Sequence, residues 1–229
     1  MTYVVSNLFG RLERFNKLLE KISFKDSDVM YVLGNIVDYG EESIELVGDL
    51  SMRYNVYSVL GEHDYKAYML LSEFDRILKN GGAPSADFSS KMIEWSANGG
   101  MSTLEAFKDA DDDTKEGFLE YLSELPVFEE AEVKGKEYVL VSAGIDNFDA
   151  KKDLSEYALE DFIRQSFDLD KNYYRTKNII AGYLGYEYTP EGHRGKINSK
   201  NGNIALACDM SESDEIVCLC LENGKEYYV

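Results

Sequence analysis

Hydrophobic and polar positions follow two alternating periods along the first 80 residues. Short apolar runs predict three strands, at Tyr3–Ser6, Val29–Leu33 and Val56–Leu60. Apolar residues three and four positions apart predict helices between and after them, over Leu12–Ile22, Ser43–Leu50 and about Tyr65–Leu78. This succession is typical of βαβ units, whose right-handed crossovers lay the strands parallel. We therefore expect the turns that follow the three strands to meet at one edge of a sheet.

The middle of the chain predicts a helical insert over about residues 80–125. Ser102 and Glu105 have the spacing of a capping box, and a helix over Thr114–Glu124 should stop before Pro126. Strand patterns then return, at Glu137–Ser142, Asn178–Gly182, Ile204–Cys208, Val217–Leu221 and Glu226–Val229. No internal repeat or disordered linker is visible. We predict one α/β domain over residues 1–229, built from two sheets with helices outside them.

Composition narrows the function classes. The 229 residues carry a formal charge of −19, which repels phosphate backbones and anionic lipids, so neither nucleic-acid nor membrane binding is expected. No apolar stretch approaches the roughly 20 residues of a membrane span. Because Met1 and Thr2 run straight into the first strand, we expect no signal peptide, and the three cysteines lack metal-site spacing. We expect a cytoplasmic protein with reduced, mostly buried thiols at Cys208, Cys218 and Cys220.

Glycine-marked turns end the first three strands. They read Asn7-Leu8-Phe9-Gly10, Gly34-Asn35-Ile36-Val37-Asp38-Tyr39-Gly40 and Gly61-Glu62-His63-Asp64. In glycines, apolar runs and spacing they resemble the signatures Asp-x-His-Gly, Gly-Asp-x-x-Asp-Arg-Gly and Gly-Asn-His-Glu of calcineurin-like metallophosphoesterases. The segment from Trp95 to Thr103 is similar to one in bacterial serine/threonine phosphatases of that family. The resemblance implies a β-sandwich flanked by helices, with two divalent metal ions at its edge.

The resemblance also identifies six metal-ligand positions, and the family's residue is absent from all of them. The six positions hold Asn7, Phe9, Asn35, Glu62, Ser142 and Tyr183. Where the family has two carboxylates, three imidazoles and an amide, this chain has one carboxylate, two amides, a hydroxyl, a phenol and a phenyl ring. Two adjacent dications would repel strongly with a single negative charge to offset them. We expect no dinuclear site and no resident cofactor.

A single weakly held cation is the alternative at these positions. Glu62, Asp38, Asp64 and Asp146 could form an acidic pocket for one Mg²⁺, Mn²⁺ or Ca²⁺ ion, with Glu62 at its centre. The phosphate-binding arginines that the resemblance implies are also replaced, by Tyr39 and by Ser166, although Arg164 lies two residues from the second position. An arginine fork is the usual bidentate phosphate clamp, so its loss weakens substrate binding independently of metals.

Asp38 and His63 match the family's acid–base dyad. They are either a vestigial catalytic pair or a structural hydrogen bond that joins two turns. The sequence therefore predicts a degenerate phosphatase that acts by binding a protein partner or a small pocket ligand. The alternatives are a weak metal-dependent phosphoesterase and a structural subunit of an oligomer. Convergence of Phe9, Tyr39 and Tyr183 would fill the old site with aromatic side chains, which suits a binding pocket.

Overall fold

The computed structural model describes residues 1–164, 167–182, 195–206 and 215–229. Its strands are β1 Thr2–Val5, β2 Val29–Leu33, β3 Val56–Val59, β4 Phe128–Val133, β5 Lys136–Val141, β6 Lys177–Ala181, β7 Ile197–Lys200, β8 Asn203–Leu206, β9 Val217–Cys220 and β10 Glu226–Tyr228. Its α-helices are α1 Leu12–Ile22, α2 Ser43–Ser51, α3 Glu62–Asn80, α4 Phe88–Trp95, α5 Met101–Asp109, α6 Asp112–Glu124 and α7 Leu159–Ile163. A 3₁₀ turn spans Leu154–Glu156.

The strands form two five-stranded sheets. The first has the order β10-β9-β1-β2-β3 and the second the order β4-β5-β6-β8-β7. β1, β2 and β3 are parallel to one another, as the alternating pattern predicted, and β9 and β10 extend this sheet antiparallel. The ends of β1, β2 and β3 therefore lie at one edge, and that edge carries the three glycine-marked turns.

The two sheets pack face to face with helices on the outside. Apolar side chains of both sheets share one cluster between them, including Val4, Leu33, Leu140, Ile180 and Leu219. A second cluster packs the other face of the first sheet against α1, α2, α3, α5 and α6, and a third lies under α7 on the second sheet. The predicted α/β fold, with two sheets flanked by helices, is confirmed. The single-domain boundary stays a prediction.

The helices differ from their predictions in two places. Helix α3 begins at Glu62 and not at Tyr65, because the Asp64 carboxylate accepts the Gly61 N–H at 2.9 Å and closes the first turn. Ser102 is not a helix cap, since it lies inside α5. The chain passes from α4 to α5 through a kinked turn at Ser96–Gly100, where Gly99 has φ 95°.

Some predicted features fall outside the described residues. They are Tyr183, Ser166 and Cys208, so the predicted roles of these residues have no structural counterpart here. Cys218 and Cys220 are buried free thiols, as expected. None of the helices within the described ranges has the length and apolarity needed to cross a bilayer.

Candidate functional site

The turns after β1 and β2 run side by side and are joined by backbone hydrogen bonds. The N–H groups of Asn7, Phe9 and Gly10 donate to the carbonyls of Gly34, Asn35 and Ile36 at 3.1, 3.0 and 2.7 Å. Five non-glycine residues in these turns have left-handed backbone: Asn7, Phe9, Asn35, Asp38 and Tyr39, with φ between 47° and 77°. Such conformations persist only where the surroundings hold them, and they concentrate at functional sites.

The fully buried carboxylate of Asp64 holds the second turn in place. Its Oδ1 accepts the N–H groups of Ile36 and Val37 at 2.7 and 3.2 Å. Its Oδ2 accepts those of Asn35 and Gly61 at 2.8 and 2.9 Å. Burial raises the pKa of Asp64 to about 6, and the hydrogen bonds from the backbone act in the opposite direction. Both carboxylate oxygens of Asp64 are therefore engaged by backbone N–H groups of the turns.

The amides of Asn7 and Asn35 bond directly to each other. Asn35 Nδ2 donates to Asn7 Oδ1 at 2.9 Å, and Asn7 Nδ2 donates to the Gly182 carbonyl at 2.9 Å. Asn35 Oδ1 accepts the His63 backbone N–H at 3.2 Å. Both amide oxygens are thus occupied by N–H donors, and both side chains are buried.

The buried carboxylate of Asp38 has three side-chain partners. Its Oδ1 accepts the Thr103 hydroxyl at 2.9 Å, and its Oδ2 accepts the Trp95 indole N–H at 2.8 Å. His63 Nδ1 lies 2.8 Å from the same Oδ2. The Asp38 N–H in turn donates to the hydroxyls of Ser43 and Thr103. The predicted Asp38–His63 pair therefore forms, anchored by two residues of the helical segment.

Three rings meet where a metal-binding histidine is expected from the family resemblance. The centroids of Phe9, Tyr39 and His63 lie 5.2 to 5.3 Å from one another, with Phe9 edge-on to both other rings. Phe9 is buried, whereas 44% of Tyr39 is exposed. Edge-on contacts of this kind are favourable beyond simple burial. Phe9 and Tyr39 therefore meet at the site, while Tyr183, the third ring considered from the sequence, lies outside the described residues.

The two glycines of the kinked turn create space for these rings. A Cβ at Gly99 would lie 2.8 Å from the Tyr39 ring, and one at Gly100 would overlap the Trp95 indole. The Gly99 carbonyl also accepts the Tyr39 N–H at 2.8 Å. The segment from Trp95 to Thr103, recognised in the sequence only by its resemblance, therefore supports Asp38 and Tyr39.

The remaining predicted residues take different places. Ser142 belongs to the cluster, since its Oγ would lie 2.5 Å from a Cβ at Gly34. Glu62 lies on the rim, where its carboxylate pairs with Lys66 on the next turn of α3 at 2.9 Å. The sequence did not predict that Asp64 would bond to the backbone of the turns, or that Thr103 and Ser43 would bond to Asp38. The spacing between Glu62 and Asp64 places Asp64 on the inner side of α3, which is the one signal that could have revealed it.

The oxygen donors of the cluster do not fit a metal pair. Asn7 and Asn35 use their amide oxygens internally, and Asp38 and Asp64 use both carboxylate oxygens for N–H and O–H donors. The alternative of an acidic pocket formed by Glu62, Asp38, Asp64 and Asp146 has no counterpart among the described residues. Across residues 1–164, 167–182, 195–206 and 215–229, no group of three or more histidine, cysteine, aspartate or glutamate side chains is placed to hold a metal ion.

Comparison with known proteins agrees with this fold. The sequence model of the calcineurin-like phosphoesterase family matches residues 2–197. The chain belongs to this family. An uncharacterised protein of Methanocaldococcus jannaschii is 27% identical over 209 residues, which are 90% of this chain and 68% of that protein. A symmetrical bis(5'-nucleosyl)-tetraphosphatase of Buchnera aphidicola is 43% identical over 65 residues, 28% of this chain and only 24% of that enzyme.

Solved structures share the fold of this family member at low sequence identity. A candidate diadenosine tetraphosphatase has a TM-score of 0.63 at 18% identity, with 100% of this chain and 92% of that chain covered. A protein serine/threonine phosphatase from Saccharomyces cerevisiae has a TM-score of 0.56 at 11% identity, with 100% and 78% covered. At these identities the likeness extends to the fold alone.

Proposed function

We propose that this calcineurin-like phosphoesterase is a pseudophosphatase, which works by binding a ligand or a protein partner and not by two-metal hydrolysis. The observation that carries the proposal is the closed amide pair. At the positions where the family resemblance expects two metal-ligand aspartates, Asn35 donates to Asn7 and both amide oxygens are already bonded. We further expect no nucleic-acid or membrane partner and a cytoplasmic location.

The charge balance supports the same conclusion. A dinuclear site offsets the repulsion of two dications with anionic ligands at close range. Here the neutral amides of Asn7 and Asn35, the hydroxyl of Ser142 and the ring of Phe9 stand at those positions. Phe9 is buried against His63 and Tyr39, so an ion would have to displace packed aromatic rings. The one carboxylate at these positions, Glu62, is engaged with Lys66 at the rim.

Metal content and turnover test the proposal together. The protein is purified in the presence of Mn²⁺, dialysed, and assayed for bound metal and for hydrolysis of p-nitrophenyl phosphate and diadenosine tetraphosphate. We expect substoichiometric metal and no turnover above that of a His63→Ala variant. Two bound ions per chain, or turnover that is lost in His63→Ala, would show that the protein is an enzyme.

A second candidate function is weak hydrolysis of a phosphate ester. The favouring observation is the His63–Asp38 pair, which keeps a 2.8 Å contact suited to proton transfer. The similarity of a 65-residue segment to tetraphosphatases suggests dinucleoside tetraphosphates as the first substrates to test. Such activity would depend on His63 and on added metal, and the assay above would detect it.

A further inference from the structure

A cleft opens beside the three-ring cluster, between α3, α4 and the residue that follows α7. It encloses about 370 Å³, which is within the size range of small-molecule sites. Glu62 and Trp95 line it, and both also belong to the site described above. The cleft therefore adjoins the Asp38–His63 pair, with the Trp95 ring as the shared wall.

The residues that line this cleft carry a small net positive charge, whereas the protein as a whole is strongly negative. The chain has 24 basic and 43 acidic residues, yet three basic residues line the cleft against two acidic ones. The basic residues are Lys66, Lys91 and Arg164. Because a surface of strongly negative charge repels anions, a local excess of cations has to be built by specific placement.

These cations are available to a ligand. Arg164 has no hydrogen bond or ion pair with any residue in the described ranges, and its side chain is exposed. Lys66 and Lys91 pair with Glu62 and Asp87, each four residues earlier in the chain, at 2.9 and 2.6 Å. Exposed pairs of this kind contribute little, so a ligand anion can replace their partners at small cost. Arginine in particular suits a planar or forked anion.

The cleft is also lined by apolar side chains. Tyr65, Met69, Leu70 and Trp95 line it, and Met69 is 49% exposed there. A flexible thioether beside aromatic rings accommodates flat apolar groups. A ligand that contacts both the basic and the apolar side chains of the cleft needs an anionic end and a flat apolar body.

We propose that this cleft binds a small aromatic anion, with its negative group at Arg164 and the two lysines and its ring against Met69 and Trp95. The inference deepens the proposed binding function and rests on it. A ligand in the cleft can also affect the pair of Asp38 and His63, because the Trp95 indole N–H donates to Asp38 at 2.8 Å. A ligand that shifts Trp95 acts on the hydrogen bonds of His63 and Asp38.

The chain provides its own reporter, since Trp95 is its single tryptophan. Phenylphosphonate, an aromatic anion that phosphatases do not hydrolyse, is titrated in EDTA while tryptophan fluorescence and the heat of binding are recorded. Methylphosphonate tests the charge without the ring, and benzyl alcohol tests the ring without the charge. We expect saturable binding of phenylphosphonate with a dissociation constant at or below about 1 mM, and at least about tenfold weaker binding of the other two.

Arg164→Ala should weaken phenylphosphonate binding at least about fivefold, as expected for loss of a charge-assisted hydrogen bond. The matched control is Arg76→Ala, which makes the same change in charge on α3 outside the cleft, where Arg76 faces Glu73 at 3.7 Å. That variant should bind within about twofold of wild type. Circular dichroism of both variants confirms that they fold.

The outcomes separate the cleft from the proposed function. No saturable signal by fluorescence or calorimetry would overturn the cleft assignment, as would equal binding of methylphosphonate or benzyl alcohol, or an equal effect of the two arginine variants. Because EDTA removes metals, none of these results bears on catalysis. Two bound Mn²⁺ ions with turnover would overturn the pseudophosphatase proposal and leave the cleft assignment standing.

Discussion

The Trp95 indole N–H and the His63 ring share a single oxygen of Asp38. Nε1 of Trp95 and Nδ1 of His63 each lie 2.8 Å from Asp38 Oδ2, and Asp38 is fully buried. The predicted pair of Asp38 and His63 therefore has a third member, Trp95. The three residues link the turn after β2, the start of α3 and the end of α4. This arrangement favours a structural role for Asp38, since a carboxylate with three side-chain partners is fixed in position.

Replacing the tryptophan tests that role. Trp95→Phe keeps an aromatic ring but removes the N–H that bonds to Asp38. We expect the free energy of unfolding to fall by about 1.5–3 kcal/mol, the usual cost of losing a hydrogen bond to a charged group. Urea denaturation followed by circular dichroism measures it. Ile93→Ala, an exposed substitution on the same helix, should change stability by less than about 0.5 kcal/mol. Equal stability of Trp95→Phe and wild type would contradict the structural role.

The two neighbouring glycines give a second test. Gly100→Ala would push a methyl group into the Trp95 indole, and Gly99→Ala would strain a backbone with φ 95° against the Tyr39 ring. Each should lower the melting temperature, with a loss of at least about 1 kcal/mol. Gly117→Ala is the matched control, because its Cβ meets nothing within 4 Å in the interior of α6. It should stabilise the protein by about 0.5–1 kcal/mol. Stabilisation in all three would mean that the kinked turn is not tightly packed.

Asp64 predicts a pH dependence of stability. Burial raises its pKa to about 6, above the ordinary value of 3.8, so the folded state binds this proton more tightly than the unfolded state. Its contribution is therefore present below about pH 4 and is lost as the pH rises through 6. Relative to Asp64→Asn, wild type should gain stability between pH 7 and pH 4, by about 1.4 kcal/mol for each unit of pKa difference. If wild type instead lost stability relative to Asp64→Asn between pH 7 and pH 4, the four N–H donors would outweigh burial in setting the pKa of Asp64.

Rebuilding the metal ligands tests how the site changed. Asn35→Asp alone should not hold a metal pair, because one added carboxylate still leaves too little negative charge to hold two dications. The combined variant is expected to bind Mn²⁺ with poor turnover, and it carries Asn7→Asp, Phe9→His, Asn35→Asp, Glu62→Asn, Ser142→His and Tyr183→His. Adding Tyr39→Arg should raise kcat/KM for p-nitrophenyl phosphate at least about tenfold. Full activity from one reversion would mean that the site is nearly intact.

The sequence predicted the strands around the site better than the contacts within it. Val29–Leu33 was predicted to the residue, because a buried parallel strand is a continuous apolar run. β4 was missed, since Phe128–Val133 is a half-exposed edge strand with three glutamates. The hydrogen bond from Trp95 to Asp38 joins residues 57 positions apart, and no local pattern encodes it. The start of α3 was misplaced although its cap is local, because the Asp64 carboxylate accepts the N–H of Gly61 three residues earlier.

The grip of Asp64 on four backbone N–H groups has a consequence for protein engineering. Asp64 lies outside the turn after β2 but fixes its path. The left-handed backbone of Asn35, Asp38 and Tyr39 on this turn is therefore held by tertiary contacts and not by local preference. A half-exposed side chain on this turn, such as Tyr39, can therefore be exchanged while the backbone stays where it is. New functional side chains placed at this edge of the sheet would therefore be attached to a preorganised backbone, provided that Asp64 is kept.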